Sequence, residues 1–195
     1  MSEQKIIIEK MKDLVEQEKF NIISNDNKIF LVDFDEEMAK LGYEIYQVAD
    51  AYTWAKNWLK AKYMINYKTA GIKATKLAAH VFIKEDGGIF LRLFAFKKGS
   101  NSHNTQEMAR SVIAPRREYI ENAPAYIKEL FTQNSDCDHT HENANGFCWR
   151  LDTYTIDNKV YEKCIGHGFN FPNPAMEHLP DYINLLAELN SKTKP

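Results

Sequence analysis

The tetrapeptide Glu85-Asp86-Gly87-Gly88 restricts the fold more than any other stretch of this chain. It separates two runs rich in β-branched and aromatic residues, Thr75 to Lys84 and Ile89 to Phe96. Asp-Gly and Gly-Gly pairs supply the positive φ angles that a tight two-strand reversal demands. The two runs are therefore expected to pair antiparallel. A second reversal is expected at Asp157-Asn158, a pair that tolerates positive φ, joining Trp149–Ile156 to Lys159–Cys164. Phe169-Asn-Phe171, followed by prolines, reads as an edge strand.

Helical spacing accounts for much of the rest. Ile7, Ile8, Met11, Leu14 and Val15 form one stripe in a segment running from Ser2 to Phe20, the pattern of an amphipathic helix packed on a sheet. Residues 46–60 and 117–131 also read as helices, the second split or kinked at Pro124. A closing helix spans about 175–189, restarted near Pro180. Lys28 to Phe34 reads as a short strand, Asp35 as the cap of a brief helix ending at Gly42, and Tyr63 to Tyr67 as extended. Residues 99–116 read as a polar loop. The expected fold class is α+β: one domain over residues 1–195, an antiparallel sheet packed with helices, and a metal-stabilised hairpin subregion over residues 133–172.

The metal enters through cysteine spacing. All three cysteines, Cys137, Cys148 and Cys164, fall between Asp136 and Gly168 together with His139, His141 and His167. Cys137 and His141 are separated by three residues, so one tight loop can aim a thiolate and an imidazole at a single point, as tetrahedral zinc requires. Cys148 follows a turn-forming run, and Cys164 lies one hairpin later. Three thiolates and one imidazole close a four-coordinate shell, and closed shells stabilise rather than catalyse. His139 competes with His141 for the fourth place, and His167 forms a Cys-x-x-His knuckle with Cys164. The alternative is three thiols in a histidine-containing loop with no metal. A disulfide fits less well, because the cysteine count is odd and no secretory leader is recognisable.

Cys137 and Cys148, Tyr154-Thr-Ile-Asp-Asn-Lys159, Glu162-Lys-Cys164-x-Gly166-x-x-Phe169-x-Phe171 and Leu179-Pro-Asp-Tyr-Ile183 together resemble a group of uncharacterised bacterial proteins over roughly residues 117–190. In that group the first cysteine opens a Cys-x-x-Cys pair, and further cysteines stand at positions like Cys148 and Cys164. The resemblance implies a four-ligand metal site. Thr140 occupies the place of the second cysteine here, which makes His141, or else His139, the substitute and the set Cys3His; His167 matches no ligand position. The resemblance implies no activity.

Composition excludes several classes. A net charge of −2 over 195 residues gives no general drive toward nucleic acid or anionic membrane. No apolar run approaches the roughly 20 residues that span a bilayer, and the N-terminus lacks a signal peptide's pattern. The expectation is a cytoplasmic chain with no membrane partner, leaving a small molecule or a protein as its counterpart. Lys56, Lys60, Lys62, Lys68, Lys73, Lys76 and Lys84 interleave with Tyr52, Trp54, Trp58, Tyr63 and Tyr67 across an acid-free stretch from residue 51 to 84. Such mixtures bind single-stranded nucleic acid or anionic ligands, but lysine faces over aromatic cores are commoner. His80, on an apolar strand, reads as a partly buried structural histidine. His103 has no identifiable partner, and Asp33, Asp35, Glu36 and Glu37 read as a helix N-terminus favoured by the macrodipole. Phosphate-loop, dinucleotide, nucleophile-elbow and zincin motifs are missing from the sequence. Three functions remain in order: a zinc-stabilised ligand-binding or interaction module, a zinc enzyme with an open coordination position, and a nucleic-acid or anion binder using the 51–84 belt.

Overall fold

The computed structural model describes residues 10–71, 77–95, 111–133, 151–165 and 168–191. They form an α+β fold in which an antiparallel sheet is packed with helices. Two compact units are distinguished, residues 1–93 with 170–183, and residues 94–169 with 184–195.

The first unit is organised on a five-stranded sheet of order β1-β2-β3-β4-β7, made of Tyr43–Asp50, Ala61–Thr69, Leu77–Lys84, Ile89–Leu93 and Phe169–Pro172. The hairpin across residues 85–88 forms as its turn chemistry dictates: Ile83 lies opposite Ile89 and Ala79 opposite Leu93. Gly87 has φ +79°, and a Cβ placed there would lie 2.0 Å from the carbonyl oxygen of Ile22. That position is closed to every other residue. The expected Phe169–Phe171 strand takes its place at one edge, beside β4.

Two expectations fail in this unit. Lys28–Phe34 is not a strand but part of α2 (Asn25–Lys40), which follows the single turn α1 (Met11–Leu14). Ser24 caps α2 by accepting the Asn27 backbone N–H at 3.3 Å, so the Asn-Asp-Asn run opens a helix instead of breaking one. Phe30, Leu31, Phe34 and Met38 are buried at helical spacing, and each contributes roughly 1.5–3 kcal/mol by leaving water. The acidic group at 33–37 consequently sits in the later turns of α2, not at its start. Asp35 there accepts the Met11 N–H at 3.1 Å. The second failure is residues 46–60, which divide into β1 and the short helix α3 (Thr53–Leu59). Of the helix expected from Ser2 to Phe20, the part beyond residue 9 holds only α1 and a 3-10 turn at Glu18–Phe20; the rest lies outside the described residues.

The sheet has two unlike faces, because opposed residues of an antiparallel ladder share a side. One carries Ile45, Ile65, Tyr67, Ala79, Val81, Leu91 and Leu93, all buried. It packs on α2: Phe34 meets Tyr67 edge-on with ring centres 5.5 Å apart, and Phe30 and Phe171 both meet Tyr182. The other face is covered at one end by α3, whose Ala55 packs in a cluster with Ala51, Ala61, Met64 and Phe82.

The second unit contains the helices α4 (Arg117–Asn122) and α5 (Ala125–Thr132), separated at Pro124 as expected, and the hairpin of β5 (Leu151–Ile156) and β6 (Lys159–Cys164). Asp157 and Asn158 adopt φ +47° and +62° in its turn, both central positions positive as a type I′ reversal requires. Buried Asp152 on β5 accepts the N–H groups of Val112 and Ile113 at 2.7 and 3.1 Å. The Tyr154 hydroxyl donates to the Phe131 carbonyl at 2.7 Å. Arg116 donates to the carbonyls of Val112, Glu188 and Ser191. The last helix, α6 (Leu179–Asn190), has Pro180 in its first turn, where a missing N–H costs nothing.

Candidate functional site

The face of the sheet not used by α2 carries a row of polar side chains, one from each strand. Gln47 of β1 lies opposite Asn66 of β2, Asn66 opposite His80 of β3, and His80 opposite Arg92 of β4. Asn170 of β7 completes the row by accepting a hydrogen bond from Arg92 Nε at 2.7 Å. A bulge in β1 makes the first link possible. Ile45 pairs with Tyr67 but Gln47 with Asn66, so Tyr46 is an extra residue, and the shift turns Gln47 onto this face. Its Oε1 then accepts from Asn66 Nδ2 at 3.2 Å.

Aromatic rings wall the row. The segment entering α3 places Tyr52 with its ring centre 6.0 Å from that of His80 and 6.5 Å from that of Trp54. Trp54 and His80 each meet Phe82, at 5.3 and 5.5 Å. The Arg92 guanidinium lies 4.7 Å from the centre of the Trp54 ring and 5.9 Å from that of Phe90, a cation held against electron-rich faces. Tyr52 and Trp54 remain exposed at 42% and 37%.

The electrostatics of the row are unusual for a sheet face. Burial first, and the Arg92 charge second, push the His80 imidazole down to about 4, so it is neutral at physiological pH. Burial also lowers Arg92, without approaching neutrality. Among the described residues no carboxylate pairs with Arg92, and Nε is the one guanidinium nitrogen with an acceptor. Asn66 is 1% exposed, and its Oδ1 accepts no hydrogen bond. A buried acceptor left so costs about 1–3 kcal/mol. The arrangement therefore offers an acceptor, a neutral imidazole and a guanidinium fork beside two partly open aromatic rings.

No family model, curated protein or solved structure matches this chain.

Of the expected metal ligands, Cys164 is described: it ends β6 opposite Leu151 and is buried against that side chain. Cys137, His139, His141, Cys148 and His167 lie outside the described residues. Among the described residues no group of three potential ligands converges. His103 and residues 99–110 of the expected loop also lie outside. No described helix is long and apolar enough to cross a membrane.

The 51–84 belt divides between the two faces and the rim. Tyr67 is in the core and Tyr63 meets Phe20, while Tyr52 and Trp54 join the polar row. Lys56, Lys68 and Lys84 are engaged by Asp50, Glu44 and Asp86 at 3.3, 3.3 and 3.4 Å. Lys73 and Lys76 lie outside the described residues. Trp58 is 85% exposed on α3. Sequence reasoning located Tyr52, Trp54 and His80 without linking them, and missed Gln47, Asn66, Arg92 and Asn170. One link was countable: stepping outward from the 85–88 turn sets His80 opposite Arg92.

Proposed function

We propose that this protein binds a small molecule on the His80-bearing face of its sheet, and that a structural zinc held by Cys137, His141, Cys148 and Cys164 braces residues 133–172. The observation that carries the first part is the Asn66 amide oxygen, buried and without a donor, two strands from a guanidinium that pairs with no carboxylate among the described residues. A core position with those properties is a net cost to folding, and a ligand offering the missing donor and charge removes that cost. Binding is favoured over turnover by the chemistry of the row: two amides, a neutral imidazole and a guanidinium are recognition groups held at fixed spacing.

Zinc is supported by the Cys-x-x-x-His spacing, by the resemblance over residues 117–190 and by burial of Cys164 at the end of β6. When bound, zinc cross-links segments distant in sequence and so stabilises the fold.

The binding reading is tested by two-dimensional NMR of the full chain against pooled metabolites. Perturbation of the Asn66 side-chain amide, the Arg92 Nε–H and the Trp54 indole is expected; an unchanged spectrum across a chemically broad pool refutes it. For zinc, elemental analysis should find one equivalent, and chelation or Cys148→Ser should lower the melting temperature by several degrees. Absence of metal with unchanged melting removes that part.

A further inference from the structure

We propose that the ligand of this face is a flat aromatic monocarboxylate that also carries a hydroxyl or amino donor. The inference rests on the ligand-binding reading and specifies its chemistry.

The acid group follows from Arg92. Its Nε is engaged by Asn170, which leaves the two terminal nitrogens, and that end of a guanidinium matches the two oxygens of a carboxylate. The Trp54 ring 4.7 Å from the guanidinium carbon restricts its freedom and so pre-organises the fork. A single negative charge fits best, because Arg92 is the sole cationic side chain of the row and His80 beside it is uncharged at neutral pH. A dianion such as a phosphate would enter a half-buried site with one charge uncompensated.

The flat body follows from Tyr52 and Trp54, whose rings are partly open and lie on the side of the row where Arg92 is stacked. Offset stacking favours another aromatic plane there. The donor follows from Asn66. Its Oδ1 needs an N–H or O–H, and it stands two strands from Arg92, about 10 Å across the sheet. One ring and a short arm span that interval.

Calorimetric titration of the full chain near pH 7.5 tests this with 4-hydroxyphenylacetate, phenylacetate, 4-hydroxyphenylacetamide and inorganic phosphate. The hydroxy acid is expected to bind, phenylacetate about tenfold more weakly for want of the donor, and the amide and phosphate at least about thirtyfold more weakly. Arg92→Gln should abolish the preference for the acid over the amide, and Arg92→Lys, which keeps the charge but not the fork, should restore only part of it. The comparison among ligands uses the unaltered protein, so it stands even where a variant fails to fold. Equal binding of acid and amide at the same residues overturns the carboxylate assignment and leaves the ligand-binding reading intact, as does a preference for phosphate. Failure of the hydroxy acid to bind at about 5 mM, together with an unchanged spectrum in the metabolite screen, overturns both.

Discussion

Acidification should destabilise this protein through His80 before most carboxylates titrate. Folding lowers the His80 pKa from 6.5 to about 4, so as pH falls the unfolded chain takes up the proton first. The stability tied to the neutral ring is complete above about pH 6.5 and is lost progressively down to about pH 4. A shift of that size corresponds to about 3 kcal/mol in full, of which about 2 kcal/mol is lost by pH 5. The cause is physical and local. The ring is 6% exposed among Tyr52 and Phe82, and an arginine stands opposite it on the next strand. Urea titrations followed by tryptophan fluorescence at stepped pH values would measure the loss, with His80→Gln as the reference that does not titrate. Carboxylates contribute alike to both chains, so the difference between them isolates the imidazole. Equal pH slopes for the two chains would refute the argument.

Three further outcomes are expected. Gly87→Ala should cost roughly 2–4 kcal/mol, since it adds left-handed strain to a Cβ lying 2.0 Å from the Ile22 carbonyl oxygen; a smaller loss in urea unfolding would mean the turn relaxes. Asp152→Asn should cost about 1.5–3 kcal/mol by weakening the charge-assisted bonds to Val112 and Ile113, with faster amide exchange at those two residues as the local signature. Tyr154→Phe should cost only about 1 kcal/mol, because one neutral hydrogen bond to Phe131 is lost while the ring stays packed.

How much of this was legible in the sequence depended on the range of the determining interaction. Turn chemistry is local, so Asp86-Gly87 and Asp157-Asn158 announced their hairpins and Pro124 and Pro180 their helix starts. Lys28–Phe34 was misread because a short apolar run has no decisive period; the cap at Ser24 and the spacing Phe30, Phe34, Met38 decide it only when the window is widened. Tyr43–Asp50 and Thr53–Leu59 were merged because Val48 and Tyr52 happen to be four apart. The polar row was hidden for a deeper reason. It takes one residue from each of five strands, each polar residue sits alone among apolar neighbours, and the β1 bulge that brings Gln47 round breaks the simple alternation a reader would count.

The order in which the strands arrive has its own consequence for biosynthesis. Arg92 and its partner Asn170 are 78 positions apart, so a ribosome must make most of the polypeptide before the outermost strand can dock. At about 5–20 residues per second that delay is several seconds. Throughout it β4 lacks its eventual neighbour, and the guanidinium lacks the amide that orients it. The polar row is thus complete only when the second half of the chain has emerged.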